Sequence, residues 1–157
     1  MESFSHLDEQ GNAKMVDISQ KMDTERTAIA QARVKMKPET LKAVVGGFIK
    51  KGDVFTVAKI AGIMAAKKAS ELIPLCHNIN LSHVDVQFEA NEENGILMIK
   101  TTVKNVGKTG VEMEALLAAS VAALTVYDMC KSIDREMVIE EICLLYKAGG
   151  KSGEWKR

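Results

Sequence analysis

A chain of 157 residues with 46% hydrophobic side chains is long enough to bury one substantial core and falls in the single-domain range. Its 21 basic and 21 acidic side chains cancel, which excludes a global field drawing it to nucleic acid or anionic membrane; any anion it binds must meet a local cluster of charge. The cysteines, Cys76, Cys130 and Cys143, are odd in number and never spaced as C-x-x-C, which argues against a disulfide framework or a structural zinc site and favours reduced thiols.

The first residues, MESFSHLDEQGNAKMVDIS, show no basic start followed by an apolar run, and no later stretch holds eighteen uncharged apolar residues, so the expectation is a soluble, cytoplasmic protein with no membrane partner. Residues 1–157 are expected to form one domain, with polar, mobile ends at 1–15 and 147–157. Between Arg26 and Met36, small or apolar Ala28, Ala30, Ala32, Val34 and Met36 alternate, with Thr27, Gln31, Arg33 and Lys35 between them, the period of a half-buried strand. Pro38 opens a helix that Gly46 and Gly47 end after about two turns. Asp53 is placed to cap a second helix over 54–72, with Val57, Ile60, Ala61, Met64 and Ala65 as its apolar stripe, and Pro74 closes it.

Leu81, Val84, Val86 and Phe88 mark a second strand, Asn91 to Gly95 a turn, and Ile96 to Val103 a returning third. From Val111 to Ile133 there is neither Pro nor Gly, and Ala, Leu, Met and Val recur at helical spacing. A last strand is expected over 137–146. The order strand, helix, strand, strand, helix, strand predicts an α+β fold: a ferredoxin-like βαββαβ sandwich, antiparallel, with helices on one face. The sheet's other face, apolar on this reading, calls for cover by oligomerisation.

Polar clusters interrupt apolar contexts at element ends, where a rigid scaffold presents binding residues. Asp128 and Lys131, three apart on a helix, share a face and can tune each other's charge for proton transfer, or form a surface ion pair contributing roughly 0.3–0.5 kcal/mol. The apolar neighbours Val126, Met129 and Cys130 predict that this pair is partly buried. His77 could donate to a phosphate or move a proton, or be an ordinary loop histidine, the reading given to His6 and His83. Cys76 beside it is either a nucleophile or a half-buried thiol. Gly107 to Gly110 resembles an anion-binding turn before a helix but is no P-loop, because Thr102 stands where that motif needs glycine. Glu112 and Glu114 either serve a site or compensate the helix dipole. Glu114 and Asp128 lie fourteen residues apart on one helix, about 21 Å along its axis. If both serve one site, two subunits must supply them.

Lys51-Gly52-Asp53-Val54, Glu71-Leu72-Ile73-Pro74-Leu75-Cys76-His77, Thr109-Gly110-Val111-Glu112-Met113-Glu114, Leu124-Thr125-Val126-Tyr127-Asp128-Met129-Cys130-Lys131 and Gly149-Gly150-Lys151-Ser152-Gly153 follow in this order. Together they resemble the molybdenum cofactor biosynthesis protein C family, the cyclic pyranopterin monophosphate synthases. The resemblance implies a lyase that converts 3′,8-cyclo-7,8-dihydro-GTP, a small-molecule substrate, into cyclic pyranopterin monophosphate and releases pyrophosphate. It implies a homo-hexamer, a trimer of dimers with the active site at the dimer interface. It makes Asp128, Lys51 and Lys131 catalytic, and Leu75, Cys76, His77, Met113 and Glu114 substrate-binding. Glu112 adjoins that set, and Arg26 joins Lys51 and His77 as a cation for the triphosphate. Lysines with lowered pKa are expected, so that they can act as bases. No metal ligand set or resident cofactor is read from the sequence; a divalent cation such as Mg would suit the triphosphate.

Two other classes share such a fold. An RNA-binding module would stack bases on aromatics of its third strand, but Ile96 to Asn105 holds none. A non-catalytic structural module would leave the polar clusters without a role.

Overall fold

The computed structural model describes residues 5–157; the first four residues of the expected mobile N-terminal end lie outside them. The elements are β1 (Thr24–Lys35), α1 (Pro38–Val45), α2 (Val54–Lys67), α3 (Ala69–Leu72), β2 (His83–Asn91), β3 (Ile96–Gly107), α4 (Glu112–Cys130), β4 (Val138–Ala148) and β5 (Trp155–Lys156). They form an α+β fold with a five-stranded antiparallel sheet in the order β2-β3-β1-β4-β5. β1 lies at the centre, with Ala28 opposite Val103 of β3 and Val34 opposite Ile139 of β4.

Alanine is a poor strand former, yet Ala28, Ala30 and Ala32 of β1 are fully buried. They pack under α4, whose Ala115, Ala118, Ala119, Ala122 and Ala123 are buried as completely. Small side chains on both partners let the helix lie close to the sheet, and tertiary packing overrides strand propensity. Thr101 Oγ1 of β3 donates to the Ala115 carbonyl at 2.8 Å. α4 is long and apolar enough to cross a membrane by length and composition, but half of it is buried as the core helix of this fold.

α2 packs beside α4, and Gly62 marks the closest approach: a Cβ there would stand 3.0 Å from the Ala118 carbonyl oxygen. The expected apolar stripe of this helix is therefore wrong in its large members. Val54, Ala58, Gly62, Ala65 and Ala66 are buried, while Val57, Ile60 and Met64 are 42%, 53% and 54% exposed. A close helix–helix crossing selects small residues and turns large ones outward. The helix also ends earlier than expected, breaking at Lys68 (φ −110°, ψ 10°) before α3.

The sheet face away from α4 is mixed: Ile29, Ile96, Met98, Val106, Val138 and Tyr146 share it with Gln31, Arg33, Lys100, Thr102 and Lys104. Large apolar side chains are uncovered on the helix layer too, at Val57, Ile60 and Met64 of α2 and Leu124 of α4. Where the sequence shows glycine-rich residues 147–157, the structure adds β5, paired with Tyr146 and Lys147.

Lys37, at the N-cap of α1, offers no side-chain cap, though Pro38 suits the first helical position. Asp134, 2% exposed, supplies the cap from across the fold. Its carboxylate accepts from Lys37 N–H at 3.0 Å, Thr40 Oγ1 at 3.1 Å and Glu136 N–H at 3.1 Å. Burial pushes its pKa up, but these bonds outweigh that and hold it below the ordinary value. Asp134→Ala strands buried donors and is expected to destabilise the fold by about 3 kcal/mol, read as a shift in the urea midpoint at fixed protein concentration.

Candidate active site

The polar clusters gather at the two ends of α4. At its C-terminal end, Lys131 follows directly as the helix cap, and Lys51 arrives from the loop after α1. Gly52 takes φ +109°, where a side chain would be strained, and Asp53 caps α2 by accepting from Thr56 N–H at 3.0 Å. That pair of turns delivers Lys51 to the helix end. Lys51 Nζ donates to the Asp128 carbonyl at 2.8 Å and to Asp128 Oδ2 at 3.2 Å, and Lys131 Nζ stands 2.8 Å from Asp128 Oδ1. One carboxylate thus holds two ammonium groups.

The hydrogen bond from Lys131, then that from Lys51, holds the Asp128 carboxyl below its ordinary pKa. Asp128 in turn raises Lys131. Both expectations about this group need correction in the single chain: the side chains are 45–58% exposed rather than partly buried, and Lys131 is shifted up, not down. Exposure removes the desolvation that lowers a lysine, and the carboxylate favours its charged form.

At the other end of α4 a pocket of about 420 Å³ is lined by Leu75, Cys76, His77, Glu112, Met113 and Glu114, with residues of the N-terminal segment across it. Pro74 and the turn after α3 bring Leu75 to His77 against the first turn of the helix. Glu112 is paired with Lys147 Nζ of β4 at 3.0 Å. Glu114 is 2% exposed, and its Oε2 has no hydrogen-bond partner among the described residues. Burial, reinforced by Glu112, pushes its pKa up to about 7. A charge placed there only to offset the helix dipole would sit in water; this one is desolvated and sits where it can hold or release a proton near neutral pH. Burial, with Glu114 and Glu112 nearby, also raises the Cys76 thiol, which argues against a thiolate nucleophile.

Arg26, at the start of β1, donates through Nε to the Gly107 carbonyl at 3.3 Å. It lines a second cleft of about 680 Å³ with Lys21, Thr24, Gly150, Lys151 and Ser152. Lys21 borders both cavities, so a cationic cleft adjoins the carboxylate pocket. Sequence reasoning passed over Lys21 and Lys147, because nothing local distinguishes them from other surface lysines. Arg26 thus lines the adjoining cleft rather than the pocket itself, and Asp128, Lys51 and Lys131 stand at the far end of a 19-residue helix.

Glu114 gives a measurable signature. Its folded pKa lies above its unfolded value, so the folded state keeps a proton that the unfolded state has released. Stability is therefore fully present below about pH 4.5 and is lost as pH rises to about 7, on the order of 3 kcal/mol in all. Glu114→Gln is expected to match the wild type near pH 5, exceed it at pH 8 and flatten that slope in urea titrations at fixed protein concentration. Parallel pH profiles for the two chains would refute the buried carboxyl.

Residues 15–150 match the MoaC family model. The chain is 58% identical to a cyclic pyranopterin monophosphate synthase of Syntrophomonas wolfei, over 99% of each chain. It is 55% identical to the synthase of Thermoanaerobacter pseudethanolicus, over 99% of this chain and 98% of that protein. The match to the synthase of Pelotomaculum thermopropionicum is 54%, over 100% and 92%. Both ends of α4 and the loops that meet them fall inside the matched span, and the chain belongs to the MoaC family.

Proposed function

We propose that this chain is a cyclic pyranopterin monophosphate synthase of molybdenum cofactor biosynthesis: a lyase that converts 3′,8-cyclo-7,8-dihydro-GTP into cyclic pyranopterin monophosphate and pyrophosphate. Membership of the family and relatives of that name at 54–58% identity support it. Within the chain, the observation that carries the reading is the Lys51–Asp128–Lys131 cluster. Opening and reclosing a purine-derived ring needs several proton transfers, and two ammonium groups on one carboxylate form a proton relay. Asp128 orients both lysines. Glu114, with a carboxyl near pKa 7, holds or accepts a proton at the pocket, and Arg26, Lys21 and Lys151 face the triphosphate with positive charge.

The fold is read as a ferredoxin-like subunit, acting in the cytoplasm as a homo-hexamer of three dimers. The exposed apolar row of Val57, Ile60, Met64 and Leu124 supports cover by a second copy. Antiparallel contact between two such helix layers would bring the acidic first turn of one α4, Glu112 and Glu114, to the cations at the end of the other. That closure would also strip water from Lys51 and Lys131, the condition under which a lysine becomes a base. The test is incubation of the full-length protein with the cyclised GTP intermediate, following pyrophosphate and the cyclic phosphate product. Neither product appearing with a correctly folded protein rejects the reading.

A further inference from the structure

The segment before β1 carries hydrogen bonds of its own. Leu7 and Ala13 form an antiparallel bridge, Lys14 N–H donates to the His6 carbonyl at 2.8 Å, and Asp8 Oδ1 accepts from Gln10 N–H at 3.0 Å and Asn12 N–H at 2.8 Å. Beyond that hairpin the chain crosses the 420 Å³ pocket, which His6, Val16 and Ile18 line. Two side chains of the body fasten it. Lys108 Nζ donates to the Ser19 carbonyl at 3.0 Å, and His77 Nε2 lies 2.6 Å from the Val16 carbonyl oxygen.

A carbonyl oxygen has no proton to give. The contact therefore requires the proton on Nε2, and in the neutral ring the free lone pair is on Nδ1, which has no hydrogen-bond partner among the described residues. We propose that the Val16 carbonyl is a positioning group for His77, fixing the Nε2–H tautomer so that Nδ1 is the atom that exchanges a proton with the substrate. This rests on the synthase reading and deepens it. The Nδ1 lone pair takes a proton from an N–H or O–H group of the substrate, and the electron pair of that bond stays on the substrate atom. The ring becomes an imidazolium, Nε2–H stays on Val16, and Nδ1 returns the proton later in the turnover. A base oriented by a third group is a common catalytic arrangement; here the third group comes from the segment just after the polar N-terminal end, inside the span that matches the family model.

The competing view is that the ring only pins the strap. His77→Gln separates the two, because a glutamine amide can reach the Val16 carbonyl as Nε2 does but offers no basic atom in place of Nδ1. In the full-length protein labelled with ¹⁵N-histidine, two-bond ¹H–¹⁵N spectra are expected to show the neutral ring of His77 with its proton on Nε2. His77→Gln is expected to keep the hydrogen-exchange protection of residues 14–19 while losing roughly 10²- to 10⁴-fold in kcat with little change in KM. An Nδ1–H ring, or a His77→Gln protein with a protected strap and wild-type kcat, overturns the proposal. Should the glutamine fail to hold the strap, added imidazole is expected to restore part of the kcat of His77→Ala while residues 14–19 stay unprotected, and the absence of any restoration overturns the proposal. A wild-type protein that turns over no substrate defeats the synthase reading instead, and the ring state is still read separately.

Discussion

Lys51→Ala and Lys131→Ala are each expected to lower kcat roughly 10²- to 10⁴-fold, the usual contribution of a positioned acid or base, with fold and assembly intact. Both side chains are about half exposed, at 45% and 52%, and both meet Asp128 at the end of α4, so their removal opens no core cavity. Asp128→Asn is expected to fall by a similar factor, since it keeps the shape but loses the charge that holds two ammonium groups. Lys51→Arg decides between two roles for that lysine. A guanidinium keeps positive charge near the Asp128 carboxylate but does not deprotonate in a protein. Near-normal turnover by the arginine variant would reduce Lys51 to a charge for phosphate binding; loss of turnover with substrate still bound supports proton exchange.

Two inactive variants, Asp128→Ala and Glu114→Ala, are expected to restore each other when mixed. On one helix the two residues are separated by about 21 Å, and the single chain places them in different clusters. If the partner subunit completes each site, a mixed dimer has one site lacking both residues and one site with both present. Random exchange makes half the dimers mixed, with one good site in two, so about a quarter of wild-type activity should return. Native mass spectrometry of isotopically distinct chains verifies the exchange. Demonstrated mixing with activity still at the level of the parents would place the working site within one chain.

Sequence and structure contributed different parts of this picture for physical reasons that can be traced residue by residue. Where an element depends on its own backbone, the sequence sufficed. Pro38 at a first helical position, Asp53 as a cap, the Asn91 to Gly95 turn and the uninterrupted helical pattern of α4 are local chemistry, and these elements begin where expected, although α2 stops at Lys67 and α4 at Cys130. The stretches Leu75 to His77 and Met113 to Glu114 were legible only as separate clusters at element ends; the tertiary structure sets them around one pocket. Tertiary structure decided what depends on neighbours distant in the chain. Lys51 meets Asp128 across 77 residues and His77 meets Val16 across 61, pairings that no local pattern encodes. The approach of α2 to α4 at Gly62 buried alanines and turned Val57, Ile60 and Met64 outward, against a stripe read from hydrophobicity alone. Glu114 and Glu112 look alike as two acids in a first helical turn. Packing buries the first with no partner for Oε2 among the described residues and gives the second Lys147, and the protonation of a carboxyl follows its solvation and its neighbours rather than its place in the sequence.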